Sequence, residues 1–340
     1  MTGSIRRVAV IGTTAWGTTL AVQLARNGVE VALGTRSTAE AEELSAAGEH
    51  ALRLPGVRFP SGLRVEVAGD AVDGAELVCL VVPSQSMAEN VRTVREGLLG
   101  GATLLSATKG FEPATGRRMS EVIADEVPGH PIAVLSGPNL SREVAAGLPT
   151  TTVIASRDAP LEALRDAFHA PHFRVYTSRD VIGVELGGAL KNVVAIAAGI
   201  VDHYAFGNNA KAAVITRGLA EITRLATAAG ADPLTLQGLA GIGDLIATSY
   251  SPLSRNRRLG ELLAGGATLE AALATIGETA EGASTVPEAL RLAARYGVEL
   301  PVTAGLDRIM HGGVAPSEVI EALLAREPTS EGLRGGLRPS

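Results

Sequence analysis

Residues 1–36 restrict the fold of this chain more than any other stretch. The apolar run Val8–Ile11 leads directly into Gly12–Gly17, a helix-like segment follows over Thr18–Ala25, and a second apolar run extends over Val29–Leu33. A strand, a tight glycine turn, a helix and a second strand form the βαβ unit that holds a dinucleotide. The amino-terminal end of such a helix presents free backbone N–H groups and a positive partial charge to a pyrophosphate. The sequence therefore predicts an α/β domain that binds a dinucleotide cofactor.

The glycine turn departs from the usual G-x-G-x-x-G pattern at Thr14, which stands where the middle glycine is expected. That glycine normally lets the backbone approach the pyrophosphate without an intervening Cβ. Thr14 could therefore push the cofactor outward and weaken its binding, or its hydroxyl could contact a phosphate oxygen. The turn predicts Gly12, Thr14 and Gly17 as cofactor-binding residues.

The end of the second strand bears on the choice of cofactor. Turns that select NAD usually carry an acidic residue there, about 20 residues past the glycines, which holds the ribose 2′-hydroxyl. The strand here ends in Leu33–Ser37, which contains no acid, and Arg36 suits a 2′-phosphate or stacking on adenine. The expected cofactor is NADPH or NADH, with NADPH favoured, unless Arg36 is only an exposed loop cation.

Composition argues against several other classes of protein. Hydrophobic residues make up 46% of the 340 residues and aromatic residues only 3%, which disfavours stacking platforms for single-stranded nucleic acid. The net charge of −6 argues against a general polyanion binder, so no nucleic-acid partner is expected. The single cysteine, Cys79, lies in an apolar run, and His169 and His172 have no nearby carboxylate cluster in the sequence, so no metal site is expected.

Targeting signals are not evident in the sequence. Residues 1–7 lack the apolar stretch of a signal peptide. No uninterrupted apolar span reaches the length of a membrane helix. The expectation is a cytoplasmic protein without membrane insertion.

Strand-like and helix-like patterns divide the chain into two parts. Beyond about residue 183, strand-like runs nearly vanish and helical patterns dominate, as in Val184–Val201 and Asn209–Ala229. The predicted fold class is α/β, with an N-terminal Rossmann-type, mostly parallel sheet over residues 1–188 and a C-terminal all-helical domain over residues 189–325. Residues 326–340 are predicted to be a disordered tail. The further apolar runs suited to buried parallel strands are Leu77–Val82, Thr103–Thr108, Ile132–Leu135, Thr151–Ala155 and Phe173–Tyr176.

Three segments of the second half carry candidate chemistry. Lys191 stands in the nearly apolar segment Gly187–Val194, where desolvation lowers the pKa of a lysine toward catalytic use, although such a lysine can also snorkel or form an ion pair. Asp244 lies in the glycine-dense stretch Gly238–Leu245, where its carboxylate could orient an ammonium group or cap a helix. Ser251–Arg258 combines arginines with hydroxyl and amide groups, which predicts a local anion pocket or a solvated basic turn.

Five segments together resemble the bacterial NAD(P)-dependent glycerol-3-phosphate dehydrogenases. They are Ser106–Gly110, Leu135–Pro138, Gly183–Asn192, Thr216–Glu221 and Ser251–Arg258, and the likeness extends from about residue 5 to residue 325. The segments are long and occur in the right order, which makes them more specific than the glycine turn. The resemblance implies a Rossmann domain followed by an all-helical domain, and the reversible reduction of dihydroxyacetone phosphate to sn-glycerol 3-phosphate, which feeds phospholipid synthesis.

The resemblance also implies roles for individual residues. Lys191 matches the catalytic acid and base, and Lys109 and Asp244 complete the predicted catalytic set. The chain departs from the family at Thr13–Ala15, where Ala-Gly-Ser is usual, and at Gly34-Thr35, and both departures concern the cofactor. The predicted substrate-binding residues are Lys109, Gly137, Asn139, Lys191, Asp244, Ser254, Arg255 and Asn256. The predicted cofactor-binding residues are Gly12, Thr14, Ala15, Trp16, Gly17, Arg36, Lys109, Ser141, Arg255 and Glu281.

The mechanism implied by the resemblance places NAD(P)H across the carboxyl edge of the sheet and the phosphorylated triose in an interdomain cleft. Hydride reaches C2 while Lys191 donates a proton to the developing alkoxide and Lys109 stabilises its charge. Two alternatives remain at this point. One is another two-domain dehydrogenase, of the 3-hydroxyacid or 6-phosphogluconate type, and the other is a paralogue that binds the phosphometabolite but little cofactor. The glycine- and alanine-rich helices are compatible with a homodimer.

Overall fold

The structure, a computed structural model, describes residues 4–325, which divide into two compact units. The first unit comprises Met1–Thr108 and Arg117–Val181, and the second comprises Lys109–Gly116 and Ile182–Ser340. The domain boundary expected at residue 188 stays a prediction. The tail predicted over residues 326–340 lies outside the described residues.

The first unit alternates strands and helices. Its strands are β1 (Arg7–Ile11), β2 (Glu30–Thr35), β3 (Leu63–Val67), β4 (Leu77–Leu80), β5 (Thr103–Ser106), β6 (Ile132–Ser136), β7 (Thr150–Ser156) and β8 (Phe173–Ser178). Its helices are α1 (Ala15–Arg26), α2 (Thr38–Ala47), α3 (Ala68–Ala71), α4 (Met87–Val94), α5 (Met119–Glu126), α6 (Ser141–Ala145) and α7 (Leu161–Phe168). Each apolar run that the sequence analysis assigned to a strand overlaps one of these strands.

The strands of the first unit form one sheet in the order β3-β2-β1-β4-β5-β6-β7-β8. Strands β1 to β6 are mutually parallel, whereas β7 pairs antiparallel with β6 and parallel with β8. The order 3-2-1-4-5-6 is that of the doubly wound dinucleotide-binding fold, so the predicted Rossmann-type sheet is confirmed.

Apolar side chains cover both faces of this sheet. Along β1, Val8 and Val10 belong to one hydrophobic cluster, and Ala9 and Ile11 belong to another. Successive side chains of a strand point to opposite faces, so a strand that is buried on both faces must be apolar throughout. Cys79 is fully buried in β4, as expected of a core residue.

The second unit is helical within the described residues, as predicted. Its helices are α8 (Val181–His203, whose first residue still belongs to the first unit), α9 (Gly207–Ala228), α10 (Asp244–Tyr250), α11 (Arg255–Ala264), α12 (Leu269–Ile276), α13 (Glu281–Tyr296), α14 (Pro301–Met310) and α15 (Pro316–Leu324). A short 3₁₀ helix (Pro233–Gln237) and a π-helical turn (Leu239–Gly243) precede α10.

Helix α8 is the central helix of the second unit. It is long and apolar enough to cross a membrane. Its most apolar 18-residue window has a mean hydropathy of 1.6, but 89% of that window is buried inside the structure. Helix α11 packs directly against it, since a Cβ on Gly199 would lie 1.9 Å from the carbonyl oxygen of Arg257 and a Cβ on Gly260 would lie 1.9 Å from that of Ile196. This close approach brings α11 beside the C-terminal half of α8.

Candidate active site

Lys191 lies in the middle of α8 and is only 7% exposed. The glycine-dense stretch before α10 packs against the turn of α8 that precedes Lys191. A Cβ on Gly187 would lie 2.5 Å from the carbonyl oxygen of Ala240. Glycine at this position therefore permits the approach that brings α10 next to Lys191.

Asp244 is the first residue of α10 and is 1% exposed. Its Oδ1 accepts a hydrogen bond from Lys191 Nζ at 2.7 Å, and its Oδ2 accepts one from Lys109 Nζ at 2.6 Å. The N-cap of α10 is Gly243, and no side chain caps this helix. Of the two interpretations of Asp244, the structure therefore shows the carboxylate that orients ammonium groups.

Thr248 completes this cluster and was missed in the sequence analysis. Lys191 Nζ donates to its hydroxyl oxygen, and the hydroxyl in turn donates to Asp244 Oδ1 at 3.2 Å. Thr248 follows Asp244 by four residues on the same helix, and residues four apart share one face of a helix. That spacing is the signal that could have revealed it.

The pKa of Lys191 is lowered from 10.5 to about 8, and burial is the largest cause. The charges of Lys109 and Arg255 contribute to the lowering, whereas the Asp244 carboxylate opposes it and raises the pKa. A lysine with such a pKa exchanges a proton readily near neutral pH, which suits a general acid and base. Lys191 can therefore deliver or accept a proton within a buried cluster formed with Lys109, Asp244 and Thr248.

The start of α11 holds the predicted anion-binding residues. Ser254 is the N-cap, and its Oγ accepts a hydrogen bond from the Arg257 backbone N–H at 3.2 Å. The Arg255 side chain is half exposed and forms an ion pair with Glu278 at 3.1 Å. Arg257 is instead paired with Asp202 at 2.6 Å, so it has a structural role, whereas Arg258 is exposed.

Asn256 links α11 to α8 and α13. Its Nδ2 donates to Asn192 Oδ1 at 2.9 Å, and its Oδ1 accepts from the Gly282 backbone N–H at 2.9 Å. Asn192 follows Lys191 directly, so this network fixes the anion-binding segment relative to the lysine. Glu281, a predicted cofactor contact, is the first residue of α13 beside Gly282.

The glycine turn of the first unit has the geometry that a pyrophosphate site requires. Gly12 adopts a φ of +112°, and a Cβ there would lie 2.5 Å from the Val81 carbonyl oxygen. A Cβ on Gly17 would lie 2.0 Å from the Gly12 carbonyl oxygen. These two residues let the chain turn sharply from β1 into α1, whose first-turn amides include those of Ala15 and Trp16. The donor set fits the phosphates of a dinucleotide.

Thr14 is accommodated in this turn as the N-cap of α1. Its hydroxyl oxygen accepts from the Gly17 backbone N–H at 3.0 Å, and its proton is donated to the Val81 carbonyl oxygen at 3.1 Å. A hydroxyl has only one proton, so in this arrangement Thr14 has none to donate to a phosphate. Its side chain stabilises the turn, and a contact with the cofactor would involve the main chain.

Glu40 on α2 was also missed in the sequence analysis. Its Oε1 accepts from Thr13 Oγ1 at 2.5 Å, and its Oε2 accepts from the Arg36 backbone N–H at 3.2 Å. The Arg36 side chain is exposed at the end of β2. The sequence does contain a signal, because Ser37 and Glu40 have the spacing of a capping box.

The remaining predicted residues lie in the first unit, around the connection from β6 to β7. Gly137 follows β6 with a φ of +145°. Asn139 donates to the Thr151 carbonyl oxygen at 3.1 Å and accepts from Thr152 Oγ1 at 2.9 Å, so its amide braces this connection. Ser141 begins α6, and its carbonyl oxygen accepts from Thr19 of α1 at 3.2 Å. No metal-binding group of three or more His, Cys, Asp or Glu side chains occurs among residues 4–325.

Comparison with known proteins finds relatives over nearly the whole chain. Residues 7–162 match the family described as NAD-dependent glycerol-3-phosphate dehydrogenase N-terminus, and residues 180–321 match the corresponding C-terminus. The chain is 48% identical to glycerol-3-phosphate dehydrogenase (NAD(P)+) of Nocardia farcinica, over 94% of this chain and 98% of that protein. It is 46% identical to the same enzyme of Anaeromyxobacter dehalogenans, over 96% and 99% of the two chains. The crystal structure of glycerol-3-phosphate dehydrogenase from Coxiella burnetii superposes with a TM-score of 0.91 at 37% identity, covering 95% of this chain and 99% of that one.

Proposed function

This chain belongs to the NAD-dependent glycerol-3-phosphate dehydrogenase family, and we propose that Lys191 is the general acid and base of its reaction. That reaction reduces dihydroxyacetone phosphate to glycerol 3-phosphate with NADH or NADPH. The observation that carries this proposal is the buried contact of Lys191 with Asp244 and Thr248, together with a pKa of about 8.

The cofactor-binding assignments form part of the same proposal. When bound, the reduced coenzyme supplies the hydride that adds to C2 of the ketone. The turn from β1 to α1 would hold its pyrophosphate, which is supported by the close contacts of Gly12 and Gly17. The assignments of Arg36, Lys109, Ser141, Arg255 and Glu281 to cofactor binding stay predictions.

In the direction of reduction, protonated Lys191 donates a proton to the oxygen at C2. In the direction of oxidation, neutral Lys191 accepts the proton of the C2 hydroxyl. Asp244 holds the ammonium group in place through one carboxylate oxygen and positions Lys109 through the other. A second ammonium group near the reacting oxygen would stabilise the negative charge that develops there.

The start of α11 is proposed to bind the substrate phosphate. Arg255 offers a planar fork of N–H donors that matches a phosphate, and Ser254 and Asn256 add neutral hydrogen-bonding groups. The charge of Arg255 acts on Lys191, which supports its proximity to the proton-transfer group. The assignment of Gly137 and Asn139 to substrate binding stays a prediction.

The two directions of the reaction are expected to have opposite pH dependence. With a pKa of about 8, Lys191 is neutral in about a tenth of molecules at pH 7 and in about nine-tenths at pH 9. Oxidation of glycerol 3-phosphate should therefore rise with pH through this range, and reduction of dihydroxyacetone phosphate should fall. Initial rates at saturating substrate and coenzyme, in both directions and across pH, measure this. Profiles that change in the same direction would contradict the assignment of a single acid and base.

Arg255→Ala is expected to raise the KM for dihydroxyacetone phosphate by about 10- to 100-fold, because a charge-assisted hydrogen bond to phosphate is lost. Arg258→Ala is the matched control, since Arg258 is an exposed arginine of the same helix. Steady-state kinetics of both variants test the assignment. An unchanged KM in Arg255→Ala would exclude this arginine as the phosphate anchor.

The cytoplasmic location, the absence of membrane insertion, the homodimer and the role in phospholipid synthesis stay predictions. The burial of α8 supports a core helix over a membrane helix. Analytical ultracentrifugation of the purified chain measures whether a dimer forms.

A further inference from the structure

The carboxylate of Glu40 contacts both the glycine turn and the residue after β2, the region where a dinucleotide-binding fold usually holds the adenosine ribose. It follows the second strand, about 20 residues past the glycine turn, which is where an acidic residue binds the ribose 2′-hydroxyl in NAD-selective proteins. The sequence at the end of β2 contains no acid, but α2 returns Glu40 to this end of the strand, where it binds the backbone N–H of Arg36.

Helix capping alone does not account for the position of this side chain. Glu40 is the third residue of α2, and Ser37, the N-cap, accepts a hydrogen bond from its backbone N–H at 3.3 Å. A capping glutamate needs one carboxylate oxygen for the main chain at the start of its helix. The other oxygen of Glu40 instead accepts from Thr13 Oγ1 at 2.5 Å, in the glycine turn of a different element. Thr13 thus anchors the carboxylate to the turn.

The charge and the hydrogen-bonding capacity of Glu40 remain available to a ligand. A carboxylate offers about four lone pairs, and one contact on each oxygen leaves further acceptor sites. The nearby His50 is buried, and burial lowers its pKa, although the Thr13 main chain and the Glu40 charge raise it. A neutral His50 does not compensate the negative charge of Glu40 at neutral pH.

We propose that Glu40 sets the coenzyme preference of this chain: its carboxylate accepts hydrogen bonds from the adenosine ribose hydroxyls and repels a 2′-phosphate, so that NADH binds more tightly than NADPH. This inference rests on the dehydrogenase function described above. It opposes the expectation drawn from Arg36, which favours NADPH. The proposal also explains why this chain carries Thr13 where the family usually has alanine, because the Thr13 hydroxyl holds Glu40 in place.

Coenzyme binding can be measured without catalysis, because Trp16 is the only tryptophan of the chain and lies in the first turn of α1. Quenching of its fluorescence by NADH and by NADPH gives the two Kd values, and isothermal titration calorimetry provides an independent measurement. The variants are Glu40→Gln, which keeps the capping geometry, and Thr13→Val, which removes the anchoring hydroxyl. Glu42→Gln, at an exposed glutamate of the same helix, is the matched control.

The wild-type chain is expected to bind NADH at least about ten-fold more tightly than NADPH, since two like charges in close contact near a protein surface repel by at least about that order. Glu40→Gln should lower this ratio about ten-fold, mainly by tightening the binding of NADPH, and Thr13→Val should lower it less. Glu42→Gln should keep the wild-type ratio.

Two results would overturn the proposal while the dehydrogenase function stands: a wild-type preference for NADPH, or an unchanged ratio in Glu40→Gln, each with turnover intact. Arg36→Ala separates the explanations further, because a specific loss of NADPH binding in that variant identifies Arg36 as the determinant. Failure of the wild-type chain to bind either coenzyme would overturn both the proposal and the function on which it rests.

Discussion

Replacement of Lys191 by alanine is expected to lower turnover by about 10²- to 10⁴-fold in both directions, the range that general acid–base catalysis contributes. The physical reason is that Lys191 Nζ is the buried proton-transfer group, hydrogen-bonded to Asp244 and Thr248, and alanine offers no proton. If the lysine acts chiefly on the transition state, kcat and kcat/KM should fall together. Coenzyme binding, measured through Trp16 fluorescence, should persist in Lys191→Ala.

Lys211 offers a matched control for this variant. It is 6% exposed and forms an ion pair with Asp202 at 2.7 Å, so Lys211→Ala removes an equally buried lysine of the same unit. That variant should lose stability without a comparable loss of turnover. Near-wild-type turnover in Lys191→Ala, or an equal loss in Lys211→Ala, would refute the assignment of Lys191 as acid and base.

Asp244→Asn is expected to lower turnover by about 10²-fold and to move the pH profile. The carboxylate raises the pKa of Lys191, against the lowering effects of burial and of the Lys109 charge. Without the negative charge, the pKa should therefore fall below about 8, and the midpoint of glycerol 3-phosphate oxidation should shift to lower pH. The measurement is the initial rate of both variant and wild type as a function of pH.

Asp202→Asn is the matched control, because a loss of stability alone should not shift the pH midpoint. Asp202 also joins two cations, Lys211 at 2.7 Å and Arg257 at 2.6 Å, and lies in the same unit. Each substitution removes a negative charge that joins two cations, so both variants should unfold more easily. Only Asp244→Asn should displace the pH midpoint. An unmoved midpoint in that variant would show that Asp244 does not tune Lys191.

The outcome at particular residues shows how far sequence reasoning extends. Lys191 interrupts an apolar helical segment, and the fold places it in a buried helix as that pattern predicts. The role of Asp244 remained open between capping and orientation, because both uses of an aspartate occur in glycine-rich stretches that precede a helix. Its contacts with two lysines decide between them.

The glycine turn illustrates the opposite case. From the sequence, Thr14 could push the cofactor outward or contact a phosphate oxygen through its hydroxyl. In the structure this hydroxyl caps α1 and bonds to Val81, a residue of the chain far from the turn in sequence. Neither partner could be assigned from the G-x-G-x-x-G pattern, since the pattern describes only the turn itself. The same limit concealed the contact between Thr13 and Glu40.

The sequence by itself determined seven of the eight strands, the change from an α/β to a helical pattern, and the lysine that interrupts an apolar helix. These properties depend on neighbours within a few residues, whose periodicity sets which side chains face the core. Only the tertiary structure decided which groups share a site. Lys109 and Lys191 reach one carboxylate across separations of 135 and 53 residues, and Glu40 reaches the glycine turn across 27. Such contacts depend on how helices and strands pack against one another. Local sequence periodicity allows many packing arrangements, and close glycine contacts and buried charges select one of them.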